Sequence, residues 1–135
     1  VSEKGKSVRV VVGSLYGRRS PVATTTETLL ADVKLTAGNT IPLDAEHEER
    51  AIYVIDGEIE ISGDRFGANR LLVFRPGDSI AIAALTDAHL AIFGGEPMDG
   101  PRHVWWNFVS SRKERIEQAK AEWAAGHFQS SPGID

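Results

Sequence analysis

The stretch Ala51-Ile52-Tyr53-Val54-Ile55-Asp56-Gly57-Glu58-Ile59-Glu60-Ile61-Ser62-Gly63-Asp64 decides the fold. β-Branched residues recur in it at period 2, the spacing of a half-buried strand. It reads as two strands, Ala51–Ile55 and Glu58–Ile61, with Asp56-Gly57 as a tight turn between them and Ser62-Gly63-Asp64 as the next turn. Outward from it the pattern repeats. Val8, Val10 and Val12 alternate on one side, as do Ala31, Val33 and Leu35, and Arg70–Phe74, Ser79–Ala83 and Ala88–Phe93 follow on the other, with Pro76-Gly77-Asp78 as a turn. Short strands at this spacing predict an all-β sandwich or barrel over residues 1–100.

After Gly94-Gly95 the pattern changes. Ser111 and Glu114 have capping-box spacing, and Arg112 to Ala125 reads as a helix with Ile116, Ala119 and Trp123 on one face and Gly126 at its C-terminal end. Gln129–Asp135 reads as a loose tail. Five of the ten aromatic residues lie beyond position 100. Residues 101–135 are therefore expected to dock on the barrel or on a partner, with Trp105, Trp106, Phe108 and Trp123 as interface residues.

Composition narrows the function. The 135 residues carry 15 basic and 19 acidic side chains, a net charge of −4, which argues against a nucleic-acid binder. The longest apolar run, Ile80–Leu85, is far short of the ~20 residues of a membrane span. There is no cysteine, hence no thiol catalysis, disulfide or thiolate metal site. The first seven residues are polar apart from Val1 and show no signal-peptide pattern; a cytoplasmic protein is expected, and a chain opening on Val1 rather than Met reads as a piece of something longer.

A small barrel with these turns invites comparison with the cupins, whose first motif is Gly-x5-His-x-His-x3-Glu-x6-Gly. Two imidazoles one residue apart on a strand point the same way, and a carboxylate with a later third imidazole completes an open metal site. Gly38, Asp44, Glu46, Arg50 and Gly57 reproduce this spacing throughout, but the ligands are replaced. A second motif started at Gly77 meets Ala83, Leu85, Ala88 and Ile92 instead of its Pro, Gly, His and Asn. A guanidinium at position 50 repels a metal ion, and an ion pair of Arg50 with Asp44, Glu46 or Glu49 is expected in that space. Asp44, Glu46, Arg50 and Tyr53 are the expected polar groups of the barrel mouth. His47 and His89 stand one residue from ligand positions and so on the wrong strand face. A metal site of His47, Glu49 and His89 is the minor alternative; otherwise residues 47–50 are a solvated charged loop. Gly17-Arg18-Arg19-Ser20-Pro21 reads as a basic, solvated turn.

Larger pieces carry a resemblance. Gly13-x3-Gly17-Arg18-Arg19-Ser20-Pro21-Val22, His47-Glu48-Glu49-Arg50-Ala51-x-Tyr53-Val54-x-x-Gly57, Arg75-Pro76-Gly77, Gly94-Gly95-Glu96-Pro97 and above all residues 101–111, Pro101-Arg102-His103-Val104-Trp105-Trp106-Asn107-Phe108-Val109-Ser110-Ser111, resemble the C-terminal half of pirin-family proteins. The resemblance implies a cupin (RmlC-like) double-stranded β-helix, a jelly-roll barrel with one C-terminal α-helix. It implies that iron and the quercetin 2,3-dioxygenase activity proposed for the family belong to an N-terminal cupin, and that the C-terminal cupin lacks metal. Family members are also described as transcriptional co-regulators and as partners of metabolic enzymes. No iron ligand maps onto any residue here. The expectation is a non-catalytic, metal-free C-terminal cupin of a bicupin, with a structural or interaction role and an apolar patch facing the N-terminal cupin or another subunit. It would be an excised domain or a natural single-barrel relative. The alternatives are a single-cupin metal-dependent dioxygenase and a small-ligand-binding module.

Overall fold

A computed structural model describes residues 2–128. The strands are β1 (Ser2–Glu3), β2 (Lys6–Val12), β3 (Ser14–Leu15), β4 (Arg18–Arg19), β5 (Thr28–Leu35), β6 (Thr40–Leu43), β7 (Glu49–Asp56), β8 (Glu58–Ile61), β9 (Asp64–Gly67), β10 (Arg70–Phe74), β11 (Ile80–Ala84), β12 (Ala88–Gly95), β13 (His103–Trp105) and β14 (Phe108–Ser110), followed by α1 (Lys113–Ala124). The chain divides into two compact units, Val1–Pro97 and Met98–Asp135.

The first unit is a jelly roll of two antiparallel sheets. One has six strands in the order β1-β2-β5-β12-β7-β10, the other four in the order β6-β11-β8-β9. Alternation puts Val8, Ala31, Val33, Leu35, Ile52, Val54, Leu90 and Ile92 on the inner face of the larger sheet, and Ile41, Leu43, Ile59, Ile61, Ile80, Ile82 and Ala84 on that of the smaller. β2 departs from strict alternation: a register shift between Val10 and Val12 sets Val12 opposite Leu30, on the outer face.

Asp56-Gly57 is not a hairpin turn. β7 pairs with β12 and β10 in the large sheet, whereas β8 pairs with β11 and β9 in the small one, so Gly57 is the corner where the chain changes sheets. Its φ is +83°, and a Cβ there would stand 2.2 Å from the Asp87 carbonyl oxygen. The hairpin of this region is β8–β9, turned by Ser62-Gly63, both at positive φ.

In the second unit α1 packs on the β13–β14 hairpin. The expected capping box is not made. Arg112 occupies the N-cap without a side-chain bond, and Ser110 Oγ accepts from the Arg112 amide at 3.1 Å. Ile116 and Ala119 are buried, whereas Trp123 is 52% exposed. Gly126, at φ +71°, follows the C-cap residue Ala125, as expected. Residues 129–135, read above as a tail, lie outside the described residues. Among the described residues no helix is long and apolar enough to cross a membrane.

Gly57→Ala is expected to cost at least about 2 kcal/mol, since the left-handed backbone already costs 1–2 kcal/mol and the carbonyl contact needs a backbone shift besides. Gly63→Ala has open space around it and carries the conformational cost alone. Urea unfolding of the two variants checks the order.

Candidate functional site

The position that the metal frame assigns to a carboxylate is filled by a buried cation. β7 alternates Glu49, Ala51 and Tyr53 outward with Arg50, Ile52 and Val54 inward, and Arg50 is only 2% exposed. Its Nη1 donates to the Leu43 carbonyl at 3.0 Å and its Nη2 to the Arg75 carbonyl at 3.2 Å, while Nε has no partner. The expected ion pair is not formed. Asp44 and Glu46 sit on the exposed loop after β6, Glu49 faces outward, and Arg50 is in no ion pair with any described carboxylate. The guanidinium is held by backbone carbonyl dipoles instead, two of its three nitrogens hydrogen-bonded and Nε not.

The charge of Asp44 and Glu46, on the exposed loop after β6, acts on a tyrosine that sequence reasoning passed over. Tyr16 is half-buried against the core and donates its hydroxyl to the Pro42 carbonyl. Burial first, and then the negative charges of Asp44 and Glu46, push its phenol up to about 12. Tyr16 stands at the turn of the β3–β4 hairpin with φ +49°, followed by Gly17 at +70°. This is the segment read as a basic turn. Arg18 and Arg19 are indeed exposed, but the hairpin also sends Leu15 into the core. Ser20 ties its base, its amide donating to the Gly13 carbonyl at 2.9 Å and its hydroxyl to the Val11 carbonyl at 2.6 Å.

His47 is not part of a solvated loop. It is 6% exposed, with Nδ1 against the Glu27 carboxylate and Nε2 3.0 Å from the Ser14 carbonyl oxygen. Both ring nitrogens face oxygen acceptors of the fold, so neither is presented to a bound ion. Glu27 is anchored in turn: its amide donates to Glu96 Oε1 at 3.0 Å and its carbonyl accepts from the Glu96 amide at 3.3 Å. A Cβ on Gly95 would come within 2.5 Å of that same carbonyl oxygen, so glycine is needed where these strands close up. The His-Glu-Glu-Arg and Gly-Gly-Glu-Pro segments thus meet in one closure of the mouth. Glu27 carried no sequence signal, lying in a polar stretch without periodicity.

His89 lies elsewhere. The strand pairing shifts between His89 and Leu90, but the extra residue, Ile55, is on β7, so β12 keeps its alternation and His89 stays on the outer face. Its Nε2 is 2.5 Å from Asp32 Oδ1, with Arg9 Nη2 3.7 Å from Asp32 Oδ2. The His89 hydrogen bond holds the Asp32 carboxyl below its ordinary range against its burial, with the charges of His89, Arg9 and Lys34 adding to it. His47 packs by Gly94, five residues along β12 from His89, or about 17 Å at ~3.3 Å per residue. Glu49 is exposed, so the metal alternative of His47, Glu49 and His89 does not assemble, and no group of three or more His, Cys, Asp or Glu side chains among the described residues could hold a metal ion. Tyr53 is not at the mouth either. It projects outward from β7 and donates to Asn69 Oδ1 at 3.1 Å. A cleft of about 540 Å³ beside His89 mixes Lys6 and Lys34 with Asp56 and Asp87 and so favours neither sign of ligand.

Of the four expected interface residues, three build the second unit itself. Trp105 stacks on Phe108 at 5.9 Å, Trp123 meets Phe108 edge-on at 6.1 Å, and Phe128 closes the cluster. Trp106 stands apart, 80% exposed at the hairpin tip with φ +54°.

Arg50→Ala is expected to destabilise by about 3 kcal/mol, because it opens a cavity and leaves the Leu43 and Arg75 carbonyls unpaired; Arg50→Met keeps most of the volume and should cost clearly less. Urea midpoints of both variants test this. For Asp32 the folded-state pKa lies below the unfolded one, so its contribution is present above the ordinary carboxylate range and lost as pH falls through the folded value. The stability deficit of Asp32→Asn should therefore be full at neutral pH and shrink below about pH 4, followed by thermal unfolding across that interval.

Comparison with known proteins accords with this geometry. The family model described as the Pirin C-terminal cupin domain matches residues 30–129. A pirin-like protein of Caulobacter vibrioides is 39% identical over 131 residues, spanning 97% of this chain and 45% of the relative. Human pirin is 30% identical over 131 residues, spanning 87% of this chain and 43% of its own length. A crystal structure of a quercetin 2,3-dioxygenase from Acinetobacter baumannii superimposes with a TM-score of 0.85 at 27% identity, covering 100% of this chain and 46% of that one. The chain thus spans a little under half the length of these relatives. A two-sheet jelly roll with its mouth closed by the His47 and Arg50 segments, and a family match over residues 30–129, place this chain in the pirin family as a Pirin C-terminal cupin domain.

Proposed function

We propose that this chain is the metal-free, non-catalytic cupin of a two-cupin, pirin-like protein, and that it supports an iron-holding N-terminal cupin and presents an interaction surface. The observation that carries the reading is Arg50. A guanidinium keeps its charge at any accessible pH, and here it is 2% exposed, bonded to carbonyls, at the position where the frame's spacing calls for a metal-binding carboxylate. Three further facts support it. The imidazole nearest the mouth is committed to Glu27 and Ser14. The frame's two imidazole positions hold the exposed carboxylates Asp44 and Glu46. The relatives and solved neighbours are about twice as long as the matched part. These residues do not fit an iron centre. Any dioxygenase activity of the kind named for the Acinetobacter relative would reside in the other half of such a protein, and a cysteine-free chain of this kind suits the cytoplasm.

The test is the metal content of the purified chain after anaerobic incubation with Fe(II) and desalting, with quercetin turnover assayed on the same sample. No retained iron and no turnover are expected. Roughly one iron per chain would overturn the reading and require the mouth to rearrange around a ligand set absent from this structure.

A further inference from the structure

At the end of β12 remote from His47, four polar residues stand in register across neighbouring strands: Ser7 on β2, Lys34 on β5, His89 on β12 and Asp56 on β7. They line the cleft of about 540 Å³ beside His89, to which Lys6 and Asp87 also contribute. Small-molecule sites commonly enclose about 300–1,000 Å³. The charges of the cleft are sorted by strand. Lys6 and Lys34 come from β2 and β5, whereas Asp87, just before β12, and Asp56 at the end of β7 form an acidic wall. β12 separates Lys34 from Asp56, a gap of two strand spacings or about 10 Å. Among the described residues no ion pair joins either lysine to either aspartate. Two of the lining groups are fixed in place. His89 Nε2 is held 2.5 Å from Asp32 Oδ1, and Arg9 backs the same carboxylate. Ionised Asp32 can only accept, so Nε2 carries the ring proton, and Nδ1, which makes no hydrogen bond, is an acceptor in the neutral ring. Asp87 Oδ1 accepts from the Ala37 amide at 2.9 Å, and the Asp87 carbonyl lies against Gly57.

We infer that this cleft binds a small zwitterion, its carboxylate against Lys6 and Lys34 and its ammonium against Asp56, Asp87 and His89 Nδ1. The site is separate from the barrel interior and does not rest on the function proposed above. An anion alone would meet two carboxylates and a cation alone two ammonium groups, so a ligand of single charge loses on one wall what it gains on the other. A neutral ligand leaves both walls unused. A ligand with both charges matches both walls at once, and the strand spacing sets its length. The two charges of an α-amino acid stand too close together to reach across β12, whereas those of an ω-amino acid with several methylene groups can. Because His89 and Asp87 are already held by Asp32 and by the Ala37 amide, binding need not order them.

The test is a nuclear magnetic resonance titration of the isotope-labelled chain at low ionic strength, following backbone amides and the His89 ring. The probes are glycine, γ-aminobutyrate and ε-aminocaproate, with caproate and hexylammonium as comparators that keep one charge each. Saturable shifts at Lys34, Asp56 and His89 are expected, with ε-aminocaproate binding at least about fivefold more tightly than glycine or either comparator. Salt at about 0.5 M should remove most of that preference, because the ion pairs form at the sheet surface. Lys34→Gln should bring ε-aminocaproate toward the affinity of hexylammonium, and Asp56→Asn toward that of caproate. Both positions are exposed, so the variants keep the fold, and the comparison among probes needs no variant at all. Caproate or hexylammonium binding as tightly as the zwitterion would overturn the inference in favour of a site for one sign of charge. Absence of saturable shifts at these residues with every probe up to about 50 mM would overturn it outright.

Discussion

A guanidinium inside a jelly roll constrains everything around it. Arg50 cannot shed its charge, and the alternation of β7 turns it to the same side as Ile52 and Val54. Its solvation must come from the fold, and two backbone carbonyls supply it, Leu43 at the end of β6 and Arg75 in the turn after β10. The cation therefore links three strand ends at the position where related barrels open to bind metal. Around it the mouth is closed by apolar and polar ties together. Leu15 enters the core, Tyr16 bonds Pro42, and His47 bridges Glu27 and Ser14. Each tie joins segments distant in sequence, so the closure belongs to the tertiary structure and to no single motif.

The cupin spacing is kept while the residues at its ligand positions are replaced, and the two facts have separate physical causes. Gly38 and Gly57 have positive φ, and Gly57 has a carbonyl pressed against the place of its missing side chain. Those glycines are demanded by the turns of the barrel whether or not a metal is bound. The side chains between them face no such demand once no ion needs coordinating. Asp44 and Glu46 can turn to water, and position 50 can carry any side chain that satisfies the carbonyls it meets.

What was legible in the sequence follows the same division. Strands with strict alternation, such as Ala31-x-Val33-x-Leu35 and Glu58–Ile61, were readable because burial of one face is a local signal. The aromatic segment was read as docking on the barrel or on a partner, since that much apolar area is not left in water; that Trp105, Phe108 and Trp123 pack on one another was not legible, because their pairing is set by the hairpin and the helix. Asp56-Gly57 was misread because a turn between two strands has the same residues whether the strands pair or part into different sheets, and only the pairing with β10, β11 and β12 decides. The Arg50 ion pair failed for a related reason. Sequence proximity put carboxylates near Arg50, but alternation and the loop direction turned them outward while the carbonyls lay within reach. Glu27, Ser14 and Tyr16 gave no signal because their partners lie 20, 33 and 26 residues away.

Opening a barrel closed in this way has an energetic cost. Any function built on the interior requires opening a mouth in which His47, Tyr16 and Arg50 are each bonded to a different segment, and breaking one buried tie costs about 1–3 kcal/mol. The outer face of the large sheet has the opposite character. Its side chains are already in water, Phe93 and Val73 among them, and covering them releases free energy at about 25 cal/mol per Å². Among the described residues Arg50 Nε is the one buried side-chain polar atom without a partner, whereas the apolar side chains of the outer sheet face stand in water.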